Sequence, residues 1–149
     1  MYESLPWRYN APFIQPWKIE ESHIDHYQHV NNVAYLSQVE KLAWAHSNSL
    51  GLSFSDYQAH DRAMVIRRHE LDYLQPAHLG DTLATATWIV ACDGKLSLTR
   101  QFEFICPRRE KVVFAAQTQF ICASLSTGAP KRMPRPFVEI YGGACLDLT

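Results

Sequence analysis

Residues 31–51, NNVAYLSQVEKLAWAHSNSLG, decide the fold because they carry the one long helical pattern in the chain. Apolar or aromatic residues recur there at spacings of three and four, the period of one helix face: Tyr35, Leu36, Val39, Leu42, Ala43 and His46. Polar residues fall elsewhere on the wheel: Gln38, Lys41 and Ser47. Asn31 or Asn32 can serve as the N-cap, and Gly51 stands where helices commonly end. The pattern predicts a helix of about 20 residues, about 30 Å long.

Strand patterns occupy most of the chain on both sides of this helix. A short first strand is expected within residues 14–22, and Pro16 restricts it to a sheet edge or a strand start. After residue 60 the patterns indicate four long strands: RAMVIRRHELDYL, DTLATATWIVAC, KLSLTRQFEFIC and KVVFAAQTQFICASL. Asp93-Gly94 is typical of a tight hairpin between two of them. The tail, residues 131–149, is expected to be irregular and rich in proline.

One long helix and a set of strands leave few ways to bury the apolar faces. Since no second helical layer of similar size is visible, the sheet has to pack on the one helix. We therefore expect an α+β fold with a curved antiparallel five-stranded sheet wrapped around one long central helix, as a single domain over residues 1–149. Natural proteins protect open sheet edges, often by pairing them, so a homodimer or a dimer of dimers is expected.

Composition and charge disfavour several classes of protein. A formal net charge of -1 over 149 residues argues against a protein that mainly grips nucleic acid. The start, MYESLPWRYN, lacks the pattern of a secretory signal, and no window approaches the roughly 18 apolar residues of a membrane span. The four cysteines contain no C-x-x-C pair and are expected to be reduced thiols in or near the core. We expect a cytoplasmic protein.

Residues 23–32, HIDHYQHVNN, concentrate reactive side chains just before the helix. His23, His26 and His29 could bind zinc or iron together with Asp25, since imidazole and carboxylate are normal ligands of these metals. The helical pattern that would bring the histidines onto one side begins only after them, and no second ligand motif exists. Histidines that surround the site without binding metal are therefore the favoured interpretation, and no metal or other cofactor is expected.

Asp25 offers a different chemistry in the same stretch. A helix start has free backbone N–H groups and the positive end of the helix dipole. A carbonyl oxygen that gains negative charge needs such donors. A nearby ionised carboxylate could attack that carbonyl or activate a water molecule. A loop carboxylate before a helix is thus compatible with acyl hydrolysis, although most such residues are caps or solvated.

Three segments resemble, in the same order, the hotdog-fold acyl-CoA thioesterases of the 4-hydroxybenzoyl-CoA thioesterase-like family. DHYQHVNNVAYLSQVEKLAW (25–44) is similar to the signature D-x-x-[GQ]-H-V-N-N-x-x-Y, RRHELDYLQPAHLGDTL (67–83) to the second-strand and loop segment, and TGAPKRMPRPF (127–137) to the closing segment. Gln28 stands where glycine is common, which is similar to the branch that includes long-chain acyl-CoA thioesterases. The backbone at Gln28 is then expected not to need the geometry that only glycine allows.

The resemblance implies roles for individual residues. Asp25 would be the catalytic carboxylate, as nucleophile or general base, and a backbone amide near Asn31 or Asn32 would polarise the thioester carbonyl. His29 and Tyr35 would line the site, although Tyr35 is equally well explained as core and His29 as a partner of the loop backbone.

Residues outside this segment are candidate ligand contacts. Arg67 and His69 share a strand face with Leu71 and Tyr73, which are expected in the core, so Arg67 and His69 could meet a ligand on the helix side. Lys or Arg usually binds phosphates such as those of CoA, and the candidates are Arg108, Arg109, Lys111, Lys131, Arg132 and Arg135. Glu40 could be a second site carboxylate or, more simply, a solvated helix residue.

Together these features predict a hotdog acyl-CoA thioesterase that releases free CoA and a fatty or aryl carboxylic acid at a site shared between two subunits. Two alternatives stay open. A hotdog hydratase or dehydratase could use Asp25 and His29 as an acid–base pair, and a non-catalytic module could bind acyl-CoA without turnover, because one fold hosts many functions.

Overall fold

The structure, a computed structural model, describes residues 2–148. Its strands are β1 (Phe13–Lys18), β2 (Arg62–Tyr73), β3 (Thr82–Cys92), β4 (Ser97–Cys106) and β5 (Lys111–Ser124). Its α-helices within that range are α1 (Asn32–Ser49), α2 (Phe54–Ala59) and α3 (Arg135–Ala144). The single domain expected over residues 1–149 stays a prediction, and its first and last residues lie outside the described part of the chain.

The strands form one five-stranded sheet in the order β1-β3-β4-β5-β2. Strand β1 pairs antiparallel with β3, from Phe13 opposite Thr87 to Lys18 opposite Thr82. Pro16 lies in β1, at one edge of the sheet, where its missing N–H group removes no ladder hydrogen bond from a central strand. The expected α+β arrangement of five antiparallel strands and one long helix is confirmed.

The hairpin between β3 and β4 forms where Asp93-Gly94 predicted it. Gly94 has φ +71°, a left-handed conformation that glycine adopts without steric cost. The Asp93 carboxylate closes the turn by accepting three backbone N–H groups: Lys95, Leu96 and Ser97.

Helix α1 begins and ends at the predicted signals. Asn31 is the N-cap, since its Oδ1 accepts the N–H group of Ala34 at 2.8 Å. Gly51, just beyond the helix, has φ +95°, the left-handed conformation that commonly ends helices. Leu52 N–H then donates to the carbonyl of Ser47 at 2.9 Å, which satisfies one of the free carbonyls of the last turn.

The prediction of an irregular tail is wrong, because α3 forms within it. Pro136 falls in the first turn of α3, where a missing N–H group removes no helical hydrogen bond. Phe137 and Tyr141 are four residues apart and both buried, so they supply one apolar face. Helix α2 was also not predicted, and its signal is the capping box formed by Ser53 and Asp56.

The chain divides into two compact units. The first consists of the residues up to Ala43, Leu71–Thr87 and Phe102–Ala116. The second consists of Trp44–Glu70, Trp88–Gln101 and the residues from Gln117 onward. Helix α1 and strands β2 to β5 each run from one unit into the other along the chain.

The first unit has an aromatic core. Tyr35 on α1 stacks on Phe114 of β5 with ring centroids 4.8 Å apart and planes at 13°. Trp17 of β1 meets both Tyr35 and Phe104 edge to face at 5.9 Å. These ring pairs add specific geometry to the apolar area that the core buries.

The second unit has its own apolar core, to which α2, α3 and strands β3, β4 and β5 contribute. Its buried residues are Leu52, Tyr57, Ile89, Leu98, Cys122, Met133, Phe137 and Tyr141. It also encloses a buried polar cluster around Arg100 on β4.

The four cysteines are free thiols, with Cys106 and Cys122 buried and Cys92 and Cys145 partly buried. This confirms the prediction of reduced thiols in or near the core. Among residues 2–148, no helix is long and apolar enough to cross a membrane.

Candidate active site

Asp25 lies in a short turn that its own carboxylate closes. Its Oδ1 accepts the backbone N–H groups of Tyr27 at 2.9 Å and His29 at 3.3 Å. Its backbone N–H donates to the His29 carbonyl at 2.9 Å, and its carbonyl accepts Gln28 N–H at 3.0 Å. No described residue donates to the second carboxylate oxygen, Oδ2. The half-buried carboxylate is therefore held in place through one oxygen while the other is uncommitted.

Gln28 adopts φ +65°, so the expectation about its backbone is wrong. The chain reverses within the turn so that His29 can pair with Asp25 through both its N–H group and its carbonyl. That reversal requires a left-handed residue at Gln28, and a residue with a Cβ carries a cost of roughly 1–2 kcal/mol there. The closed turn around Asp25 offsets this strain.

The start of α1 follows the Asp25 turn directly. Both polar atoms of the Asn31 side chain form hydrogen bonds within the fold. Oδ1 caps the helix by accepting Ala34 N–H, and Nδ2 donates to the His23 carbonyl at 3.0 Å. Within residues 2–148, the backbone N–H groups of Asn32 and Val33 have no acceptor outside the helix. Both residues are exposed, so the positive end of the helix dipole presents two donors at the surface of the first unit.

The three histidines of the segment serve separate tasks. His23 Nδ1 accepts the N–H group of Glu20 at 2.9 Å, while His26 is exposed. His29 pairs with His78 as an isolated antiparallel bridge, and their rings meet edge to face at 5.2 Å. Over the described residues no group of three or more side chains has the composition and proximity to hold a metal ion.

Asp81, directly before β3, was not singled out from the sequence. Its side chain is only 5% exposed and accepts hydrogen bonds from Arg108 Nη2 at 2.9 Å and His78 N–H at 3.0 Å. Arg109 Nη2 lies 3.9 Å from Asp81 Oδ2, the oxygen that accepts His78 N–H. The signal that could have found this residue is an aspartate placed between Gly80 and a buried strand, where an unpaired charge could not stay.

The side chain of Tyr35 lies in the core of the first unit. Burial, together with Tyr73, raises the pKa of Tyr35 to about 12, so its hydroxyl keeps its proton at neutral pH. That hydroxyl forms no hydrogen bond with any residue between 2 and 148. The core interpretation of the ring is confirmed, while the contact with substrate stays a prediction.

Strand β2 carries the other predicted contacts. Arg67 is exposed and has no hydrogen bond or ion pair with another described residue. His69 Nδ1 and Thr118 Oγ1 share a hydrogen bond of 2.7 Å, and burial lowers the pKa of His69. Leu71 packs on the first core as expected. The expectation that Tyr73 is core is wrong, because it is 46% exposed, although its ring lies against Tyr35 at 5.6 Å and Phe114 at 5.4 Å.

Three of the basic candidates have structural partners. Arg109 donates to the Pro76 carbonyl at 3.0 Å and to Cys106 Sγ, and Arg135 pairs with Glu139 at 2.9 Å. Arg108 belongs to the same hydrogen-bonded assembly as His78 and keeps a side chain that is 76% exposed. Glu40 on α1 is exposed and has no ion pair with a described residue, in agreement with the solvated interpretation.

Residues 20–140 match a family model described as the thioesterase-like superfamily. The chain is 33% identical over 110 residues to the long-chain acyl-CoA thioesterase FadM of Escherichia coli K12, an alignment that covers 74% of this chain and 82% of that protein.

Solved structures also match. Slr0204, a 1,4-dihydroxy-2-naphthoyl-CoA thioesterase from Synechocystis, gives a TM-score of 0.79 at 19% identity and covers 89% of this chain and 96% of its own. The probable thioesterase YbaW from Escherichia coli gives a TM-score of 0.75 at 26% identity, and the match covers 89% of this chain and 98% of YbaW. SAV2348 from Staphylococcus aureus, in complex with CoA, gives a TM-score of 0.83 at 17% identity, and the match covers 93% of this chain and 89% of SAV2348. These matches confirm the predicted hotdog fold.

Proposed function

The chain belongs to the thioesterase-like superfamily, and from that premise we propose that it hydrolyses a fatty acyl-CoA to free CoA and a carboxylic acid. The prediction of a thioester hydrolase is confirmed at the level of the family and of the FadM match. A fatty rather than an aryl acyl group is favoured because the FadM relative acts on long-chain acyl-CoA. CoA itself is supported as the carrier by the CoA complex of SAV2348.

One observation carries the assignment of the site. Within residues 25–33, a carboxylate is fixed through one oxygen, and two helix-start amides have no acceptor among the described residues. A half-buried carboxylate with an uncommitted oxygen can act as nucleophile or base. Amides that point out of a helix start can bind an oxygen that becomes negative. The short segment thus contains both parts that thioester hydrolysis needs.

In the proposed mechanism, the thioester carbonyl oxygen accepts hydrogen bonds from the backbone N–H groups at Asn32 and Val33. These donors stabilise the oxyanion that forms when the carbonyl carbon is attacked, and each such donor is worth about 10²–10³ in rate. Asp25 then acts in one of two ways. Its free oxygen attacks the carbon, expels the CoA thiolate and leaves an anhydride that water cleaves, or it takes a proton from the water that attacks.

The roles of His29 and Asn31 follow from their contacts. His29 acts through its backbone, which closes the Asp25 turn on both sides. Asn31 acts through the cap that sets the direction of the first helical turn. Tyr35, Arg67 and His69 are proposed as substrate contacts only, with Tyr35 offering a protonated hydroxyl and Arg67 an exposed guanidinium.

We propose a homodimer or a dimer of dimers in which two copies share the site. The support is strand β2, which lies at an edge of the sheet and exposes Val65 and Ile66. Edge strands with exposed apolar residues commonly pair with another chain. Sedimentation equilibrium gives the mass of the assembly directly. A wild-type protein that stays monomeric at assay concentrations while it turns over substrate would contradict the shared site.

The central test is Asp25→Asn, assayed by thiol release from a panel of fatty and aryl acyl-CoA substrates. Asparagine keeps the size of the side chain but cannot act as nucleophile or base, so turnover is expected to fall by at least about 100-fold. The melting temperature is expected to change little, because the amide oxygen can still accept the Tyr27 and His29 N–H groups.

Asp93→Asn is the matched control, since this carboxylate also accepts backbone amides in a turn. It is expected to leave turnover unchanged. An Asp25→Asn variant that hydrolyses acyl-CoA at the wild-type rate contradicts the carboxylate assignment. A wild-type protein that changes the absorbance of an enoyl-CoA without releasing thiol would instead indicate a hydratase.

A further inference from the structure

We infer that Asp81 is a positioning residue for the Asp25 turn, through the connection between β2 and β3. This inference rests on the proposed function, because its kinetic consequence appears in thioester hydrolysis. It adds a residue to the reaction that does not touch the substrate and lies far from Asp25 in sequence.

Asp81 orders the connection between β2 and β3 with both its side chain and its backbone. Its buried carboxylate accepts the N–H group of His78 at 3.0 Å, and its own N–H group donates to the His78 carbonyl at 3.0 Å. The turn from His78 to Asp81 is therefore closed by both side chain and backbone. Ile19 and Gly80 tie this turn to the chain after β1, since Ile19 N–H donates to the Asp81 carbonyl at 2.8 Å and Gly80 N–H donates to the Ile19 carbonyl.

The connection in turn holds the Asp25 turn through His29 and Val30. His29 and His78 form an antiparallel bridge, and the next residue, Val30, donates its N–H group to the Ala77 carbonyl at 3.0 Å. The rings of His29 and His78 also meet at 5.2 Å with planes at 83°. His29 is the residue that closes the Asp25 turn from both its N–H group and its carbonyl.

Two arginines lie close to the buried carboxylate of Asp81. A carboxylate that is 5% exposed is costly unless it is paired. Arg108 supplies a hydrogen bond of 2.9 Å, and Arg109 brings a second guanidinium to 3.9 Å. Arg109 in addition donates to the Pro76 carbonyl at 3.0 Å, so one of the two arginines near Asp81 also binds the connection itself. A displacement of the connection would pass directly to His29.

The test compares kcat and KM for Asp81→Ala and Asp81→Asn with a fatty acyl-CoA, at a temperature well below the melting point of the least stable variant. Alanine removes the acceptor for His78 N–H, and a misplacement of about 1 Å at a reacting group can cost 10²-fold. We expect kcat of Asp81→Ala to fall by about 10- to 100-fold while KM changes by less than about threefold. Asparagine keeps an oxygen that can accept His78 N–H, so Asp81→Asn is expected to recover most of the lost kcat.

Asp61 in the second unit is the matched control. Its carboxylate also anchors a turn, by accepting Ser124 Oγ at 2.7 Å and Ser126 N–H at 2.8 Å. Asp61→Ala is expected to lower the melting temperature without changing kcat. The inference is overturned if Asp81→Ala keeps kcat within about twofold of the wild type. It is equally overturned if both alanine variants lower kcat in proportion to their loss of melting temperature.

A second measurement does not depend on turnover. Amide hydrogen exchange at Tyr27 and His29 reports whether the Asp25 turn stays closed, because both amides donate to Asp25 Oδ1. We expect exchange at these two amides to be at least about tenfold faster in Asp81→Ala and unchanged in Asp61→Ala. Unchanged exchange in Asp81→Ala overturns the inference. A wild-type protein without thioesterase activity but with this exchange pattern would overturn the proposed function alone.

Discussion

The two compact units differ in the polar groups that their cores contain. In the first unit the core is aromatic, and the Tyr35 hydroxyl has no hydrogen bond with another described residue. Two of its carboxylates, Asp25 and Asp81, belong to turns outside the regular strands and helices, while the buried carboxylate of Glu103 on β4 accepts the backbone N–H group of Arg8 at 2.8 Å. In the second unit a guanidinium lies inside the core: Arg100 is only 2% exposed.

The second unit satisfies its buried charge with neutral partners. Arg100 donates from Nη1 to His46 Nδ1 at 2.6 Å and from Nη2 to Ser47 Oγ at 2.8 Å. Ser47 shares a hydrogen bond of 3.0 Å with the hydroxyl of Tyr141, which also bonds to the hydroxyl of Tyr57. Burial raises the pKa of Tyr57 above its usual range, and burial lowers the pKa of Arg100.

This difference in hydrogen bonding distinguishes the Arg100 cluster, which supports the fold, from the Asp25 region, which is the candidate site. Around Arg100, no described side-chain polar atom that is fully buried lacks a partner, so this cluster has little left to offer a ligand. Around Asp25, one carboxylate oxygen and two helix-start amides are left without partners among residues 2–148. Because these groups are accessible and not bonded to other described residues, they can bind a ligand, and the region around Asp25 is the better candidate for chemistry.

Arg100→Ala should have the largest effect on stability. It leaves His46 and Ser47 without their buried donor and opens a cavity, and breaking such buried networks costs about 3–5 kcal/mol. Urea unfolding measures this loss. Arg135→Ala, which breaks an exposed pair with Glu139 on α3, should cost less than about 0.5 kcal/mol. Equal effects of the two variants would contradict the distinction between the units.

Stability should also fall in mild acid because of His46. Burial, together with the charge of Arg100, lowers the pKa of His46 from 6.5 to about 4. The unfolded chain therefore binds a proton between these values that the folded chain does not. The contribution of neutral His46 is complete above pH 6.5 and is lost as the pH falls toward 4.

The size of this loss is on the order of 2–3 kcal/mol for one histidine. Urea unfolding at a series of pH values checks it, with His46→Gln expected to flatten the dependence in this window. His26→Gln, at an exposed position of the Asp25 turn, is the control and should leave the dependence as it is. A wild-type protein with constant stability from pH 7 to pH 4 would contradict the lowered pKa of His46.

The smallest expected effect comes from a pair of tyrosine variants. Tyr141→Phe removes a hydroxyl that bonds to Ser47 and Tyr57, so it should cost about 1–2 kcal/mol. Tyr35→Phe removes a hydroxyl without a partner among the described residues, so the free energy of unfolding should hardly change. If Tyr35→Phe nevertheless alters kcat or KM, the Tyr35 hydroxyl contacts the substrate. Equal losses of stability would remove the contrast between the two cores.

Periodicity predicted the elements that bury one continuous face. Helix α1 and the five strands were found because apolar residues repeat at 3.6 or 2 residues over long windows. Helix α3 was missed because its ten residues contain Pro136 and two glycines, which usually mark irregular chain. Its apolar face consists mainly of Phe137 and Tyr141, and the helix is stabilised because these two residues pack in the second core.

The candidate site was only partly visible for a similar reason. The motif placed Asp25 before a helix start, but the contact of Asp81 with Arg108 and the bridge between His29 and His78 join segments far apart in the chain. In KLSLTRQFEFIC, alternation places Arg100 on one face with Leu98 and Phe102, both of which are buried. The strand pattern does not show that Arg100 pairs with His46 and Ser47, because these partners lie on α1.

Local chemistry alone determined where α1 begins and ends, where the Asp93-Gly94 hairpin lies, and that a carboxylate precedes the helix start. These features depend on neighbours within a few residues, so the order of amino acids contains them. Only the tertiary structure decided which charges are buried, which hydroxyls find partners, and which loop holds the Asp25 turn. Each of these depends on the local dielectric and on atoms within a few ångströms that folding alone brings together.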